Sequence, residues 1–178
     1  MQDLLLHEGR YLRLKQRGRW EYAERTNASS AVIVVAITPE DRVLFVEQYR
    51  VPIEARSIEM PAGLVGDLGE TESVESAARR ELLEETGWSA ENIEYLMAGP
   101  SSSGMSNEMI AFVRASGLRR QGPGGGDESE SITVHEVPRG EVAGWLVARM
   151  QEGYSIDPKL YAGLYFVDRN PDGSLARG

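Results

Sequence analysis

Three glutamates, Glu81, Glu84 and Glu85, stand one turn apart just before a glycine, Gly87. On a helix of about 100° per residue they fall within about 100° of arc. Val74, Ala77 and Ala78 fall on the same side, so the acids prolong a small apolar stripe. Like charges four apart cost roughly 0.2–0.5 kcal/mol even on an exposed helix, and partial burial raises that cost. A hard divalent cation, which selects carboxylate oxygens, removes the conflict. Taken alone, these residues also fit a solvated acidic helix face. Further along, a glycine-rich segment ends in three more acids, Asp127, Glu128 and Glu130.

The elements around these acids read as a mixture of strands and helices. Residues 4–15 are mixed in pattern, with a turn at Arg17-Gly18-Arg19, and 20–25 alternate. Residues 31–37 form a continuous β-branched run, as expected of a strand buried on both faces. Pro39-Glu40-Asp41 makes a turn and 43–49 return as a strand, which predicts a hairpin. A glycine- and acid-rich loop over 60–71 precedes a helix over 71–86, capped by Gly87. Strands are predicted at 93–97, 109–114 and 132–137, with turn-rich loops between them. Segment 122–130 is expected to be mobile without ligand, because glycine loses the most backbone entropy on fixing. Two helices close the chain. One opens at Pro138, with Val142, Trp145, Leu146 and Met150 on one face; the other is capped by Asp157-Pro158. No repeat or interdomain linker interrupts this order, so residues 1–178 read as one α/β domain.

Composition narrows the class. The chain has 178 residues, 41% hydrophobic and 26% charged, enough for a core. Its net charge of −9 argues against wrapping nucleic acid, which needs a basic face. No apolar run reaches the length of a membrane span, and the start is too charged for a secretory signal. A cytoplasmic location is the expectation. There are no cysteines, which excludes thiolate chemistry, and only two histidines, which argues against a histidine-rich zinc centre.

The stretch from Gly66 to Trp88 resembles the Nudix box, Gly-x5-Glu-x7-Arg-Glu-U-x-Glu-Glu-x-Gly-U, where U is bulky and apolar. Gly66, Glu72, Arg80, Glu81, Leu82, Glu84, Glu85, Gly87 and Trp88 occupy every fixed position. The resemblance implies a Nudix α/β/α sandwich with a mixed sheet and an N-terminal β extension. It implies a loop–helix–loop that holds Mg²⁺ or Mn²⁺ against a pyrophosphate. Glu81 and Glu85 would be the main ligands, with Glu84 close by and catalytic. Arg80 and Glu72 would pair and fix the loop on the helix. Gly66 and Gly87 complete the framework.

The resemblance extends to the ADP-ribose pyrophosphatases and related nucleotide-sugar hydrolases through VEQYR at 46–50 and IEMPAG at 58–63. By that likeness Ala62 would offer its carbonyl to a metal and Arg50 would contact substrate phosphates. The loop 102–108 is similar to the substrate loop of those enzymes, and Glu108 would contact the sugar or ribose. Glu128 would be the general base and Glu130 would complete the metal site. Two departures stand out. Ser103 replaces the usual proline, which leaves nucleoside diphosphate sugars other than ADP-ribose open. Leu64-Val65-Gly66-Asp67 lengthens the loop between Ala62 and Arg80, with room to shift the pyrophosphate or a second metal.

Trp20 and Trp88 are candidates either for base stacking or for packing. His135 alternates within a strand and His7 lies near the terminus, so neither is given a catalytic role. The substrate implied is a nucleoside diphosphate sugar, cut to a nucleoside monophosphate and a sugar phosphate. A dinucleoside polyphosphate or another nucleotide is the alternative. A silent, sensing Nudix domain is disfavoured because all the box glutamates are kept. Residues 1–28 are hard to fit into one compact sandwich and are expected to form a homodimer, as the resembled enzymes commonly do.

Overall fold

The computed structural model describes residues 2–67, 72–126 and 131–176. The chain opens with β1 (Leu4–Glu8), β2 (Leu12–Arg17) and β3 (Trp20–Arg25), which form an antiparallel sheet of their own. Next come β4 (Ser30–Ala36), β5 (Arg42–Arg50), β6 (Ala55–Glu59) and β7 (Ala62–Val65), then the helix α1 (Val74–Thr86). Strands β8 (Trp88–Ser89), β9 (Asn92–Pro100), β10 (Met109–Ser116), β11 (Arg119–Arg120) and β12 (Thr133–Pro138) follow. The chain ends with α2 (Val142–Gln151), β13 (Ser155–Ile156) and α3 (Pro158–Asp168).

Two four-stranded mixed sheets carry the body. One has the order β7-β4-β10-β9, with β4 and β10 parallel. The other has the order β12-β5-β6-β13, with β6 and β13 parallel. Side-chain alternation divides the core in two. Ile33 and Val35 join Phe45, Ile58, Phe112, Leu146, Leu160 and Phe166 between the sheets and the C-terminal helices. Val32, Val34 and Ala36 join Leu44, Ala77, Ala78, Leu82 and Val113 beneath α1. The result is the expected α/β/α layering with an N-terminal β extension.

The hairpin predicted for β4 and β5 is not formed. A single bridge, Ile37 to Val43, marks the turn, and the strands then enter different sheets. Both are apolar on both faces, so each is stable only as an interior strand with partners on either side. Separate sheets supply four such partners: β7 and β10 for β4, β12 and β6 for β5. The predicted loop 60–71 also contains a strand, β7, which pairs with β4 through Ile33 and Ala62. The first C-terminal helix begins four residues late, at Val142. Arg139–Glu141 forms a 3₁₀ turn, because Pro138 still belongs to β12. Of its predicted face, Val142 and Leu146 are buried, whereas Met150 is exposed.

Helix α1 is defined at both ends by its sequence. The Ser73 hydroxyl accepts from the Ser76 N–H at the start. Gly87 ends it at φ 73°, with its N–H on the Leu83 carbonyl. Leu82, fully buried, fixes α1 to the sheet. Leu82→Ala should therefore lower unfolding free energy by about 2–5 kcal/mol. Denaturant melts would measure it, and a loss under about 1 kcal/mol would show that α1 is held mainly by other contacts.

Candidate active site

The buried stripe of α1 brings its acids to a wall of the molecule. Ala77 and Ala78 are fully buried and Glu85 is 3% exposed. The Glu81 side chain is also largely shielded, at 13% exposure, whereas Glu84 is half in solvent. The expected stripe is thus real for two of the three glutamates. Opposite them runs β7. The Ala62 N–H donates to Glu85 Oε2 at 3.0 Å. Gly63 faces the Glu81 carboxyl so closely that a Cβ there would occupy the same space.

Arg80 organises this wall. Its guanidinium donates to Glu72 at 3.1 and 3.2 Å, to Glu81 at 2.7 Å and to Glu84 at 3.3 Å. It also reaches Asp67 at 3.3 Å and the Leu64 carbonyl at 3.1 Å. Glu72 additionally accepts from the Gly66 N–H. The Arg80–Glu72 pair expected from the box is therefore formed, and Leu64 and Asp67 of the lengthened loop belong to it. The Arg80 bond holds the Glu72 carboxyl below its usual range against the opposing effect of burial. Glu81 moves the other way. Burial pushes it up to about 7; Arg80 opposes the rise, and Glu84 and Asp67 add to it.

Asp67, Glu81 and Glu85 border a cleft of about 690 Å³, whose lining does not include Glu72 or Glu84. Ala62, Glu81, Glu85, Arg50 and Glu108 all line it, although they come from four separate parts of the chain. Arg50 forms a two-pronged pair with Glu59 at 2.6 and 2.8 Å. Glu108 is met by Arg25 of β3 at 2.5 Å. Burial raises the Glu108 carboxyl, but the bonds from Arg25 and Ser101 outweigh it and leave the group below its ordinary value. Ser155, Asp157 and Lys159, around the start of α3, form part of the lining.

Trp20 does not line this cleft; it lies on the N-terminal sheet, 58% exposed. Trp88 is buried beneath α1 and donates to Glu136, so of its two readings packing holds. Glu128 and Glu130 lie outside the described residues. Within their segment, Gly122, Gly125 and Gly126 bond through main-chain N–H groups to the end of α1. His135 bonds Glu47 on β5 and packs on Trp145, outside the cleft lining.

Sequence reasoning missed Arg25, Glu59 and Lys159. Arg25 meets a partner 83 positions away, and Glu59 finds Arg50 only through the β5–β6 register. Neither carries a local signal.

Among the described residues no three acids or histidines already converge as a metal cage. The donor set nonetheless fits a hard cation. It consists of oxygens on one wall, and the disfavoured charge of Glu81 is what a cation would relieve.

A NUDIX domain model matches residues 28–154. The chain is 38% identical over 121 residues to the methanol dehydrogenase activator of Bacillus methanolicus, covering 67% of this chain and 64% of that protein. It is 34% identical over 125 residues to the ADP-ribose pyrophosphatase of Bacillus subtilis (strain 168), again 67% and 64%. The chain thus spans under two thirds of the length of both relatives. Its backbone is similar to the crystal structure of an ADP compounds hydrolase, with a TM-score of 0.68 and 22% identity over 94% of this chain and 90% of that one. At that identity the likeness concerns the fold.

The raised Glu81 carboxyl has a consequence for stability. Such a group binds its proton more tightly folded than unfolded, so its favourable contribution is complete below the ordinary value of 4.5 and is lost as pH rises through about 7. In chelator, the melting temperature of the wild type should fall more between about pH 5 and about pH 8 than that of Glu81→Gln. Parallel profiles for the two proteins would show that the carboxyl is not raised.

Proposed function

Because the chain belongs to the NUDIX domain family of hydrolases, we propose that it hydrolyses the pyrophosphate bond of ADP-ribose or another nucleoside diphosphate sugar, using Mg²⁺ or Mn²⁺. The products would be a nucleoside monophosphate and a sugar phosphate. One observation carries this reading: Glu81, Glu85, Arg50 and Glu108 border the same cleft. Carboxylates for a metal, a cation for phosphates and an acid for a sugar hydroxyl are the groups such a substrate requires. The ADP-ribose pyrophosphatase of Bacillus subtilis among the relatives supports the choice of substrate class.

In this reading Glu81, Glu85, the Ala62 carbonyl and Glu130 hold the metal. When bound, a divalent ion supplies neutralisation of phosphate charge and a lowered pKa for the attacking water. Glu128 would take the proton from that water, with Glu84 as a second carboxylate on α1. Arg50 receives the phosphates, and Glu59 holds its guanidinium in a fixed plane. Glu108 accepts from the ribose or sugar, held ionised by Arg25. Arg80, Glu72, Gly66 and Gly87 are framework. Positioning and charge account for most catalysis of this kind.

The first three strands fit a homodimer. None of their residues is buried, and Leu4, Leu12 and Trp20 are exposed by 58%, 51% and 58%. Apolar surface of this extent is what an interface with a second copy would cover. The loop between β9 and β10 ties the body to this sheet: Ala23 of β3 exchanges main-chain bonds with Met105 and Asn107.

A panel of ADP-ribose, GDP-mannose, UDP-glucose and a dinucleoside polyphosphate, assayed with Mg²⁺ for released phosphomonoester, tests the reaction. ADP-ribose or a nucleotide sugar should be cut fastest, and a preference for the dinucleoside polyphosphate would overturn the substrate class. On the best substrate Glu85→Gln should lower the rate at least ~10²-fold, and near-normal turnover would remove the metal assignment. With Glu128→Gln the loss should fall on kcat; with Glu130→Gln it should appear as a higher Mg²⁺ requirement. Wild-type behaviour in both would send the search for the base to Glu84 and Glu108. Light scattering should give roughly twice the chain mass of 19.7 kDa. A fully active particle of single-chain mass would refute the dimer.

A further inference from the structure

The end of α1 is an electrostatically poor place for acids. A helix C-terminus carries about half a negative charge and unsatisfied carbonyls. Glu81, Glu84 and Glu85 all sit there, and α1 has no basic residue in its last turn. What satisfies that turn is main chain from a distant segment. The Gly125 N–H donates to the Glu85 carbonyl at 2.8 Å, and the Gly126 N–H to the Glu84 carbonyl at 3.1 Å. The Gln121 and Gly122 N–H groups both donate to the Gly87 carbonyl, at 2.8 and 3.1 Å.

Two glycines make this approach possible. A Cβ on Gly124, at φ 72°, would lie 2.5 Å from the Glu85 carbonyl oxygen and 2.7 Å from the Gly87 nitrogen. A Cβ on Gly87 would overlap the Gly122 carbonyl and lie 2.7 Å from the Gly124 nitrogen. All these neighbours are backbone, which cannot rotate away as a side chain can. Arg120 clamps the same segment from outside. It donates to the Gly122 carbonyl at 2.5 Å, to the Pro123 carbonyl at 3.3 Å and to Glu136 at 2.6 Å, with its guanidinium over Trp88. The chain comes back to this anchor, since the Ile132 N–H donates to the Gly125 carbonyl at 3.3 Å.

We propose that segment 121–126 is a positioning element for the metal-binding glutamates, with Gly124, Gly87 and Arg120 as its positioning residues. Its amides fix the main chain of Glu84 and Glu85, the last turn of α1 cannot fray, and the Glu85 carboxylate keeps its aim on β7. Gly87 then has two duties. It supplies the left-handed residue that ends the helix, and it leaves space for the segment that rests on it. This proposal stands on the metal reading given above.

Gly124→Ala and Gly87→Asn separate these duties. Asparagine tolerates the left-handed cap, yet its Cβ meets the Gly122 carbonyl. In metal-free protein, both variants should keep helical circular dichroism and exchange the amides of residues 125 and 126 faster than wild type. Mn²⁺ titrated without substrate should bind roughly 10-fold or more weakly, the scale seen when groups that orient metal ligands are lost. Faster exchange with unchanged Mn²⁺ affinity would overturn the proposal, leaving only a helix cap, and so would unchanged exchange. If Gly124→Ala fails to fold, Arg120→Ala, which removes a half-exposed side chain, should give a smaller loss in the same two readouts and decides the matter in the same way. Glu85→Gln is the control. Wild-type Mn²⁺ affinity there would remove the metal reading itself, whereas weak binding there with normal binding in the glycine variants would remove only the positioning role.

Discussion

One guanidinium holds the acidic helix against the strand that faces it. Arg80 is joined to Glu72, Glu81, Glu84, Asp67 and the Leu64 carbonyl, so a single cation balances four carboxylates. Its charge is too small for the task, and the imbalance appears at Glu81, which burial and its acidic neighbours push up to about 7. The side chain of Arg80 is largely shielded, and removing one partner from a shielded network typically costs about 3–5 kcal/mol. The arrangement is therefore firmly held in place while carrying excess negative charge, which is the condition that favours a divalent cation.

The rest of the cleft follows a different rule. Charged groups that face the substrate space are held by fixed partners, Arg50 by Glu59 and Glu108 by Arg25. Paired this way, the groups keep defined directions before any ligand arrives, which lowers the cost of organising them on binding. The same device recurs on the opposite face of β5, where Glu47 is bound by both Arg56 and His135. There it faces α2 instead of the cleft, so the pairing serves packing.

Main chain performs the equivalent task at the end of α1. Carbonyls that a helix leaves unsatisfied accept amides from residues 121–126, and glycines on both sides allow the approach. Side-chain pairs order one half of the site and backbone contacts order the other. Both depend on the two sheets being correctly stacked, since the contacting segments come from widely separated parts of the chain.

The sequence by itself determined the helix, its glycine cap and its acidic end, although it started the helix at 71 and the structure starts it at Val74, behind the Ser73 cap. Gly87 and the spacing of Glu81, Glu84 and Glu85 are local features, and a helix places residues by their separation alone. It also determined the family, because every box position is filled, and it identified Arg50, Ala62 and Glu108, which the fold brings to one cleft. Tertiary structure alone decided that β4 and β5 part into different sheets, since two strands buried on both faces compete for partners that the turn between them does not specify. It decided that Arg25 meets Glu108 and Glu59 meets Arg50, because strand register is set by long-range pairing. It decided, too, that a glycine-rich segment bonds to the end of α1. Composition records how readily glycine moves; it does not record the carbonyls waiting at the end of a distant helix.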